Sequence, residues 1–260
     1  MILIKLGGNT LSAAENNSQI DVLAEYHKSG ERLLLVHGGG SQIDREMKLH
    51  GIEKETISGF RVTSKAAFDI VEMVLTGSVQ QKLVRALKAR GVSAVGISGS
   101  DGGIFAVGKK FLSPEQDLGQ VGEVLSVETK LLQLLLDADF LPVISSTGAL
   151  LDGTGMNINA DLAAAAIAGS LDVKRVIFMS DIPGIYTNFP DEDSIISKIT
   201  RDELFQIRGG FTGGMSPKVE AALKALDLGA SSVQIIDGRD SHDLKSALQG
   251  EQVGTVITHG

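Results

Sequence analysis

The sequence of 260 residues contains no cysteine, no tryptophan and only 2 tyrosines. Without cysteine the chain has no disulfide, no thiolate nucleophile and no cysteine-ligated zinc site, which fits a cytoplasmic location. The scarcity of aromatic residues argues against binding of single-stranded nucleic acid, which depends on stacking of bases on aromatic rings. A net charge of −8 also disfavours a surface for nucleic acid or for an anionic membrane. We therefore expect no nucleic-acid partner.

Long apolar segments and metal-binding spacings are missing as well. No run approaches the roughly 18 apolar residues that a membrane-spanning helix needs, so we expect no membrane partner. Residues 1–5 form a short apolar run without a preceding basic region, which predicts a core strand and not a signal peptide. The 5 histidines show neither HxxxH nor HExxH spacing, so we expect no dedicated histidine metal site.

Two common nucleotide-binding motifs are also absent. Gly209 and Gly214 have the spacing of the two glycines in GxxxxGK[ST], but Met215 follows instead of lysine, so a P-loop NTPase is disfavoured. No GxGxxG follows a predicted strand, which weighs against a Rossmann enzyme that binds a dinucleotide.

Short apolar runs alternate with helical patterns along the whole chain. Runs typical of buried strands lie at residues 2–5, 32–36, 93–97, 140–144, 175–179 and 232–236. Helical patterns lie at 42–50, 65–90 with a break near Thr76-Gly77, 127–136, 160–168 and 217–228, where Pro217 is expected at the first helical position. This alternation predicts an α/β fold with a mainly parallel central sheet sandwiched by helices. Two segments break the pattern. Residues 104–109 and 119–125 predict a β-hairpin around a turn at 113–115, and residues 149–156 predict a second one with Asp152-Gly153 at its tip. We expect both hairpins to lie over a ligand.

Two glycine-rich turns join a predicted strand to a helix, where backbone N–H groups converge on anions. Lys5 ends the first strand before Gly7-Gly8, at the strand end where ligands collect in open α/β sheets. A solvated lysine at the end of a strand is the alternative. Gly38-Gly39-Gly40 precedes a helix, and three glycines are costly in folding entropy for a mere connector, which favours an anion site. We interpret the preceding His37 as a packed residue and not as a base.

Two further segments place polar side chains at helix starts. Arg61 precedes a helix that begins near Ser64, and its guanidinium could bind a carboxylate through two hydrogen bonds. A surface arginine is the alternative there. Asn157-Ile158-Asn159-Ala160-Asp161 opens an alanine-rich helix, where asparagine and aspartate are typical of capping. Two asparagines exceed what capping needs, so we expect them to bind polar groups of a substrate.

Lys218 follows the glycine-rich segment 209–214. Together with Lys5 it supplies two cations, and Asp161 supplies a carboxylate that could hold them apart. Such a group suits the charge of a phosphoryl group in transfer. The residues therefore predict a small-molecule kinase that lacks a P-loop.

In this order the motifs resemble the amino acid kinase family, and within it the branch that phosphorylates N-acetyl-L-glutamate in arginine biosynthesis. The resemblance covers nearly the whole chain. It rests on nine segments, at residues 5–8, 36–40, 59–63, 72–75, 99–103, 121–123, 156–161, 180–181 and 213–218.

The resemblance implies the amino acid kinase fold and ATP-dependent phosphorylation of the γ-carboxylate of N-acetyl-L-glutamate, with Mg²⁺ held by the ATP phosphates and not by protein ligands. Lys5 and Lys218 would stabilise the transferring phosphoryl group, and Asp161 would orient both lysines. Phosphate-binding residues would be Gly7 and Gly8. Substrate-binding residues would be Gly39, Gly40, Arg61, Asn157 and Asn159. Nucleotide-binding residues would be Asp181, Ile182, Pro183, Gly184, Ile185, Tyr186, Gly210, Phe211, Thr212 and Met215.

The resemblance also bears on domain organisation and assembly. Residues 1–260 would form one domain, with a lobe for the acyl amino acid at 1–170 and a lobe for the nucleotide at 171–260. The chain starts at its first strand, without the N-terminal helix that builds arginine-inhibited hexamers in relatives, so we expect a homodimer that does not respond to arginine. Its pairing helix would lie within 64–90, where apolar residues recur at helical spacing. These residues are Phe68, Val71, Val74 and Leu75, beside Ile70 and Met73.

Two departures and two alternatives remain. Ser64 stands where the family commonly has an acidic residue, and Gln80 stands where it often has asparagine, so both could alter the substrate side. One alternative is a kinase of a carrier-protein-bound aminoadipate or glutamate, which the charge of −8 disfavours because that carrier is acidic. The other is a non-catalytic nucleotide or anion sensor, which would not need two lysines and an aspartate together.

Overall fold

The computed structural model describes residues 1–7, 18–113 and 116–260. Its strands are β1 (Ile2–Leu6), β2 (Leu33–His37), β3 (Thr56–Ile57), β4 (Phe60–Arg61), β5 (Ala94–Ser98), β6 (Phe105–Ser113), β7 (Gln116–Val127), β8 (Leu141–Ser145), β9 (Thr147–Ala149), β10 (Gly155–Ile158), β11 (Arg175–Ser180), β12 (Ile185–Tyr186), β13 (Ile195–Ile196), β14 (Lys198–Thr200), β15 (Ser232–Asp237) and β16 (Thr255–Thr258). Its α-helices are α1 (Ser18–Lys28), α2 (Gly40–Leu49), α3 (Lys65–Glu72), α4 (Gln80–Lys88), α5 (Lys130–Asp137), α6 (Ala160–Ser170), α7 (Arg201–Ile207), α8 (Met215–Asp227) and α9 (Ser241–Gln249).

A central sheet runs through the molecule. Within the described residues it has eight strands, in the order β14-β16-β15-β11-β1-β2-β8-β5. Neighbouring strands from β15 to β5 are parallel, and β16 runs antiparallel to β15. The predicted α/β fold with a mainly parallel sheet is confirmed. The carboxyl ends of β1, β2, β8 and β11 therefore meet along one edge, where ligands bind in such sheets.

Helices cover both faces of this sheet, so its strands are apolar on both sides. One hydrophobic cluster includes Leu3, α6 and α8, and the other includes Ile2, Ile4 and helices α1 to α4. Because successive residues of a strand point to opposite faces, Lys5 lies on the same face as Leu3, toward α6 and α8. In the described part of the chain, no helix has the length and apolarity that crossing a membrane requires.

A smaller sheet formed by the hairpins lies beside the carboxyl edge of the central sheet. Its order is β6-β7-β10-β9, with β6 antiparallel to β7 and β9 antiparallel to β10. Both predicted hairpins are therefore confirmed, although residues 114–115 at the tip of the first lie outside the described residues. Strand β10 also pairs with β7 in parallel, at Asn157 and Ile158.

Two local predictions differ from the structure. The break expected near Thr76-Gly77 is a π-helical segment, Met73–Val79, which joins α3 to α4 without ending the helix. A π-turn admits an extra residue into a helix, so the irregular apolar spacing marks a bulge and not a boundary. Pro217 is the third residue of α8 and not the first, because the helix already begins at Met215. Proline is tolerated there, since the first turn has no intrahelical use for its N–H.

Candidate active site

Three separate elements bring Lys5, Asp161 and Lys218 together. Lys5 lies near the carboxyl end of β1, Asp161 in the first turn of α6, and Lys218 in the first turn of α8. Helices α6 and α8 pack closely, since a Cβ on Gly169 would lie 2.3 Å from the Cβ of Leu228, just beyond α8. Small residues along α6 thus allow the approach that places the two helix starts over the end of β1.

Asp161 forms ion pairs with both lysines. Lys5 Nζ lies 2.9 Å from Asp161 Oδ1, and Lys218 Nζ lies 3.2 Å from Asp161 Oδ2. All three residues are buried, with exposures of 8%, 7% and 7% for Lys5, Asp161 and Lys218. Burial alone would raise the pKa of Asp161, but the charges of Lys218 and Lys5 lower it to about 2. For Lys5, burial dominates and lowers its pKa in spite of the Asp161 carboxylate.

The two lysines face different cavities. Lys5 and Asp161 line a cavity of about 230 Å³ at the ends of β1, β2 and β10. Lys218 lines a second cavity of about 660 Å³ beyond the end of β11. The carboxylate of Asp161 thus stands at the junction of two binding spaces, with one cation directed to each.

Helix starts supply backbone N–H groups to the first cavity. Gly39 is the N-cap of α2 and Gly40 is its first residue, so no capping side chain covers these groups and they are available to an anion. Asn159 caps α6, where its Oδ1 accepts hydrogen bonds from Asp161 N at 2.9 Å and Leu162 N at 3.1 Å. The capping interpretation of Asn159 is therefore confirmed, although its side chain also borders the cavity.

Arg61 is held at the wall of the first cavity and is not a surface residue. Its side chain is only 12% exposed and forms an ion pair with Asp44 of α2. It also donates to Gly40 O at 3.3 Å. Burial alone would raise the pKa of Asp44, but hydrogen bonds from Lys54 and Arg61 lower it below its usual range. Asp44 thus stays ionised and anchors the guanidinium on one side.

Asn157 lies opposite Arg61, on β10, and lines the same cavity. Its Nδ2 donates a hydrogen bond to Thr63 Oγ1 at 3.1 Å. Gly39, Gly40, Arg61, Asn157 and Asn159 are thereby all at the first cavity. Apolar residues line its remaining walls, among them Ile43, Phe60, Leu75 and Val121.

The second cavity gathers most of the predicted nucleotide-binding residues. These are Asp181, Ile182, Tyr186, Gly210, Phe211, Thr212 and Met215. Tyr186 and Phe189 meet edge to face with ring centroids 5.3 Å apart, and Phe189 is 68% exposed. An aromatic and apolar wall of this kind suits the flat face of a nucleobase.

Several predicted residues do not border either cavity. Pro183, Gly184 and Ile185 lie behind the second cavity, where Ile185 N donates to Thr255 Oγ1 at 2.8 Å and a Cβ on Gly184 would lie 2.6 Å from the same oxygen. Gly7 follows β1 but is not part of the cavity wall, and Gly8 lies outside the described residues.

The two departures from the family pattern also lie away from the cavities. Ser64 caps α3 by accepting a hydrogen bond from Ala67 N at 3.2 Å. Gln80 is buried and donates to Ile97 O at 2.6 Å and to Val143 O at 3.0 Å, which joins α4 to β5 and β8. Both side chains have structural partners, and neither contributes to the wall of a cavity.

Sequence reasoning missed some residues of the site. Ser146 directly follows β8 and lines the first cavity, so the rule that ligands bind at strand ends could have found it. Leu75 reaches the same cavity from the π-helical segment, and Phe189 and Ile207 reach the second. No local motif marks these apolar residues, because their exposure depends on the tertiary fold.

The described residues contain no group of three or more His, Cys, Asp or Glu side chains that could hold a metal ion. Asp161 is already bonded to two lysines. Such a donor set fits a cation delivered together with phosphates better than a metal held by the protein alone.

A mainly parallel sheet with two cavities, one lined by Lys5 and the other by Lys218, suits phosphoryl transfer without a P-loop, and the chain belongs to the amino acid kinase family. The model described as "Amino acid kinase family" matches residues 1–237. Acetylglutamate kinase of Salinispora tropica is 38% identical over an aligned length of 264, gaps included, and the alignment covers 100% of this chain and 90% of that protein. Acetylglutamate kinase of Methanococcus maripaludis is 38% identical over an aligned length of 268, gaps included, and the alignment covers 98% of this chain and 90% of that protein. The family resemblance seen in the sequence is confirmed.

Solved structures agree with the fold. A crystal structure of N-acetylglutamate synthase from Neisseria gonorrhoeae, complexed with coenzyme A and N-acetyl-glutamate, superposes with a TM-score of 0.87 at 22% identity, over 99% of this chain and 59% of that one. Carbamate kinase from Giardia superposes with a TM-score of 0.71 at 18% identity, over 100% of this chain and 98% of that one. At these identities the likeness concerns the fold alone.

Proposed function

We propose that this chain is an ATP-dependent kinase that phosphorylates the γ-carboxylate of N-acetyl-L-glutamate in arginine biosynthesis. The observation that carries the proposal is Asp161 paired with two buried lysines, Lys5 at one cavity and Lys218 at the other. The identity of 38% to acetylglutamate kinase of Salinispora tropica, over the whole chain, supports the same substrate.

In the proposed reaction a γ-carboxylate oxygen of the substrate forms a bond to the γ-phosphorus of ATP. The bond between that phosphorus and the β,γ-bridging oxygen breaks, and ADP leaves with the electron pair. A carboxylate is already ionised at neutral pH, so no general base is needed. Catalysis then consists of alignment and stabilisation of charge.

The residues divide this work between them. Lys5 and Lys218 stabilise the negative charge that spreads over the phosphoryl oxygens and the leaving oxygen. Asp161 holds both ammonium groups in place and keeps them from repelling each other in a buried site. Arg61 and Asn157 bind the polar groups of the acyl amino acid, and the N–H groups at Gly39 and Gly40 bind its reacting carboxylate or the phosphoryl group.

Asp181, Tyr186 and the segment 210–215 bind the nucleotide in this proposal. Mg²⁺ would be held by the phosphates of ATP and not by protein side chains, and it would neutralise part of their charge. We further propose a cytoplasmic location and a nucleotide lobe at 171–260 beside a substrate lobe at 1–170.

A homodimer is also part of the proposal, on the strength of the family resemblance. Six apolar residues are expected on the pairing helix. Met73 is exposed, at 49%, and the other five are buried within the chain, namely Phe68, Ile70, Val71, Val74 and Leu75. The core therefore accounts for most of the apolar pattern, and light scattering of the purified protein is the test of the dimer.

Trapping of the product tests the proposed reaction. Purified enzyme is incubated with ATP, Mg²⁺, hydroxylamine and one acyl amino acid, and the hydroxamate that forms from an acyl phosphate is measured by its colour with iron. We expect a hydroxamate with N-acetyl-L-glutamate and far less with N-acetyl-L-aspartate, which is one methylene shorter. No hydroxamate with any free acyl amino acid, but a product on a carrier-protein-bound glutamate or aminoadipate, would favour the second candidate instead.

A further inference from the structure

We propose that Thr63 is a positioning residue that holds Arg61 and Asn157 in place. It determines whether Asn157 presents its amide oxygen or its NH₂ group to the substrate. This inference rests on the proposed function. Thr63 is fully buried and lines neither cavity, so it acts through its two neighbours.

Thr63 is fixed by its backbone before its side chain takes part. Its N–H donates to Leu118 O at 2.9 Å, and its carbonyl accepts from Gln120 N at 2.6 Å, so it pairs with β7 around Gly119. Gly119 has a φ of +72°, and a Cβ there would lie 2.2 Å from Thr63 O. The backbone pairing with β7 therefore fixes the position of the Thr63 hydroxyl.

The hydroxyl joins the two walls of the first cavity. Thr63 Oγ1 donates to Arg61 O at 2.9 Å and accepts from Asn157 Nδ2 at 3.1 Å. A hydroxyl has one proton, and here the carbonyl of Arg61 takes it, because a carbonyl can only accept. Toward Asn157 the hydroxyl can then only accept, so the amide must turn its NH₂ group to Thr63.

This orientation determines what Asn157 offers to a ligand. With the NH₂ group on Thr63, the amide atom that Thr63 does not engage is Oδ1, an acceptor. An acceptor that lines the same cavity as Arg61 matches a substrate that carries an N–H next to a carboxylate, which is the chemistry of an N-acyl amino acid. Thr63 thereby selects for the acylamino nitrogen without touching it.

Two variants at the same position separate the hydroxyl from the shape of the side chain. Thr63→Val keeps the branched shape and removes the hydroxyl, and Thr63→Ser keeps the hydroxyl and removes the methyl group. We expect Thr63→Val to raise KM for N-acetyl-L-glutamate by about tenfold, the effect of one lost hydrogen bond. We expect KM for ATP to stay within about twofold of wild type, and Thr63→Ser to resemble wild type in both values.

Discrimination between two ligands tests the orientation of the amide directly. In 2-acetoxyglutarate an ester oxygen replaces the N–H of N-acetyl-glutamate at nearly the same shape. Wild type should prefer the amide by at least about 100-fold in kcat/KM, because an ester cannot donate to Asn157 Oδ1. Thr63→Val frees the amide to rotate and should reduce this preference by about tenfold. A general loss of packing would lower kcat/KM for the amide and for the ester alike. An unchanged ratio of the two values in Thr63→Val therefore overturns the inference.

A measurement without turnover separates this inference from the proposed function. The side-chain NH₂ signals of Asn157 in a ¹⁵N NMR spectrum are identified by their loss in Asn157→Asp. We expect them to shift in Thr63→Val and to stay in place in Thr63→Ser. If wild type forms no acyl phosphate yet these shifts occur, the proposed function fails, and what stands is that Thr63 orients the Asn157 amide. If wild type is active and the signals do not move in Thr63→Val, the role of Thr63 is wrong and the function stands.

Discussion

Lys5 and Lys218 are buried cations that share one carboxylate, so removal of either ammonium group leaves Asp161 paired with the other. If they act on the phosphoryl group, their effect is largest in the transition state, where its charge is spread most widely. We expect Lys5→Ala and Lys218→Ala each to lower kcat by about 100-fold or more, with substrate KM changed far less. Steady-state kinetics on variants with a wild-type circular dichroism spectrum checks this. A kcat within about threefold of wild type in either variant would contradict the assigned role.

The shifted pKa values predict how activity depends on pH. Burial lowers the pKa of Lys5 from 10.5, so its proton is lost at a lower pH than that of an ordinary lysine. The pH profile of kcat/KM for ATP reports the free enzyme, and we expect its alkaline limb to lie below pH 10.5. A limb at or above that pH would contradict the mechanism.

The Asp161 carboxylate, unlike Lys5, titrates only at low pH. The pKa of Asp161 is lowered to about 2 from 3.8, so Asp161 adds no acid limb to the profile in the neutral range. Its contribution to stability is present above pH 3.8 and is lost as the pH falls toward 2.

Arg61 tests the substrate side separately from the nucleotide side. Arg61→Lys keeps the charge but loses the planar guanidinium, whose Nη2 meets both Asp44 and Gly40. We expect KM for N-acetyl-L-glutamate to rise by about tenfold or more, with KM for ATP nearly unchanged. Arg90→Lys is a matched control, because Arg90 pairs with Asp21 away from both cavities. Equal changes in both KM values would mean that Arg61 does not bind the substrate.

At the scale of elements, the short β3–β4 hairpin lines the first cavity and contacts the segment around the start of α8. Gly59 in its turn has a φ of +81°, and a Cβ there would lie 2.8 Å from Gly213 O and from Pro217 Cγ, at the start of α8. The hairpin therefore carries Arg61 on its second strand and contacts the glycine-rich loop before Lys218 through its turn.

Gly59→Ala should disturb this junction. We expect it to cost about 1–2 kcal/mol of stability for the left-handed backbone and, in addition, to raise KM for both substrates. Gly30→Ala is the control, because Gly30 has a φ of +90° but open space around its Cβ position. Thermal unfolding and kinetics on both variants check this. If Gly30→Ala alters KM as much as Gly59→Ala does, the contact with Gly213 is irrelevant.

Elements differ in how well the sequence predicts them. Strands such as β1 and β11 combine apolar, β-branched residues with a glycine-rich or polar end, and both appear within one residue of the expected bounds. The π-helical segment is not predictable in this way, because Leu75 and Val79 within it pack against Gly39, a contact that the local sequence does not show.

The site shows the same limit. Lys5, Asp161 and Lys218 could be predicted because each lies where a strand or glycine loop meets a helix. The positions of Phe189 and Ile207 depend on how distant segments close over the second cavity, and no local pattern encodes that. The role of Thr63 is not predictable from the sequence, because it consists of two hydrogen bonds to residues on separate elements.

On the scale of the whole molecule, the order of the central sheet divides the chain. Strands β11, β14, β15 and β16 lie on one side of β1, and β2, β5 and β8 lie on the other. The second cavity adjoins the strands on the β11 side, and the first cavity adjoins the strands on the β2 side. A phosphoryl group that passes from one cavity to the other must therefore cross the end of β1, where Lys5 lies. This arrangement is what the two proposed lobes would need.

The most direct measurement of that transfer follows an oxygen atom. N-acetyl-L-glutamate labelled with ¹⁸O in both γ-carboxylate oxygens is incubated with enzyme, ATP, Mg²⁺ and hydroxylamine, and the phosphate released is examined by ³¹P NMR. If the carboxylate attacks phosphorus, hydroxylamine then attacks the carbonyl carbon and leaves one ¹⁸O on each phosphate, which shifts its signal. We predict singly labelled phosphate in amounts equal to the hydroxamate. We predict that Lys218→Ala forms it far more slowly than wild type. Unlabelled phosphate alone would mean that water attacks ATP, and it would contradict phosphoryl transfer to the acyl amino acid.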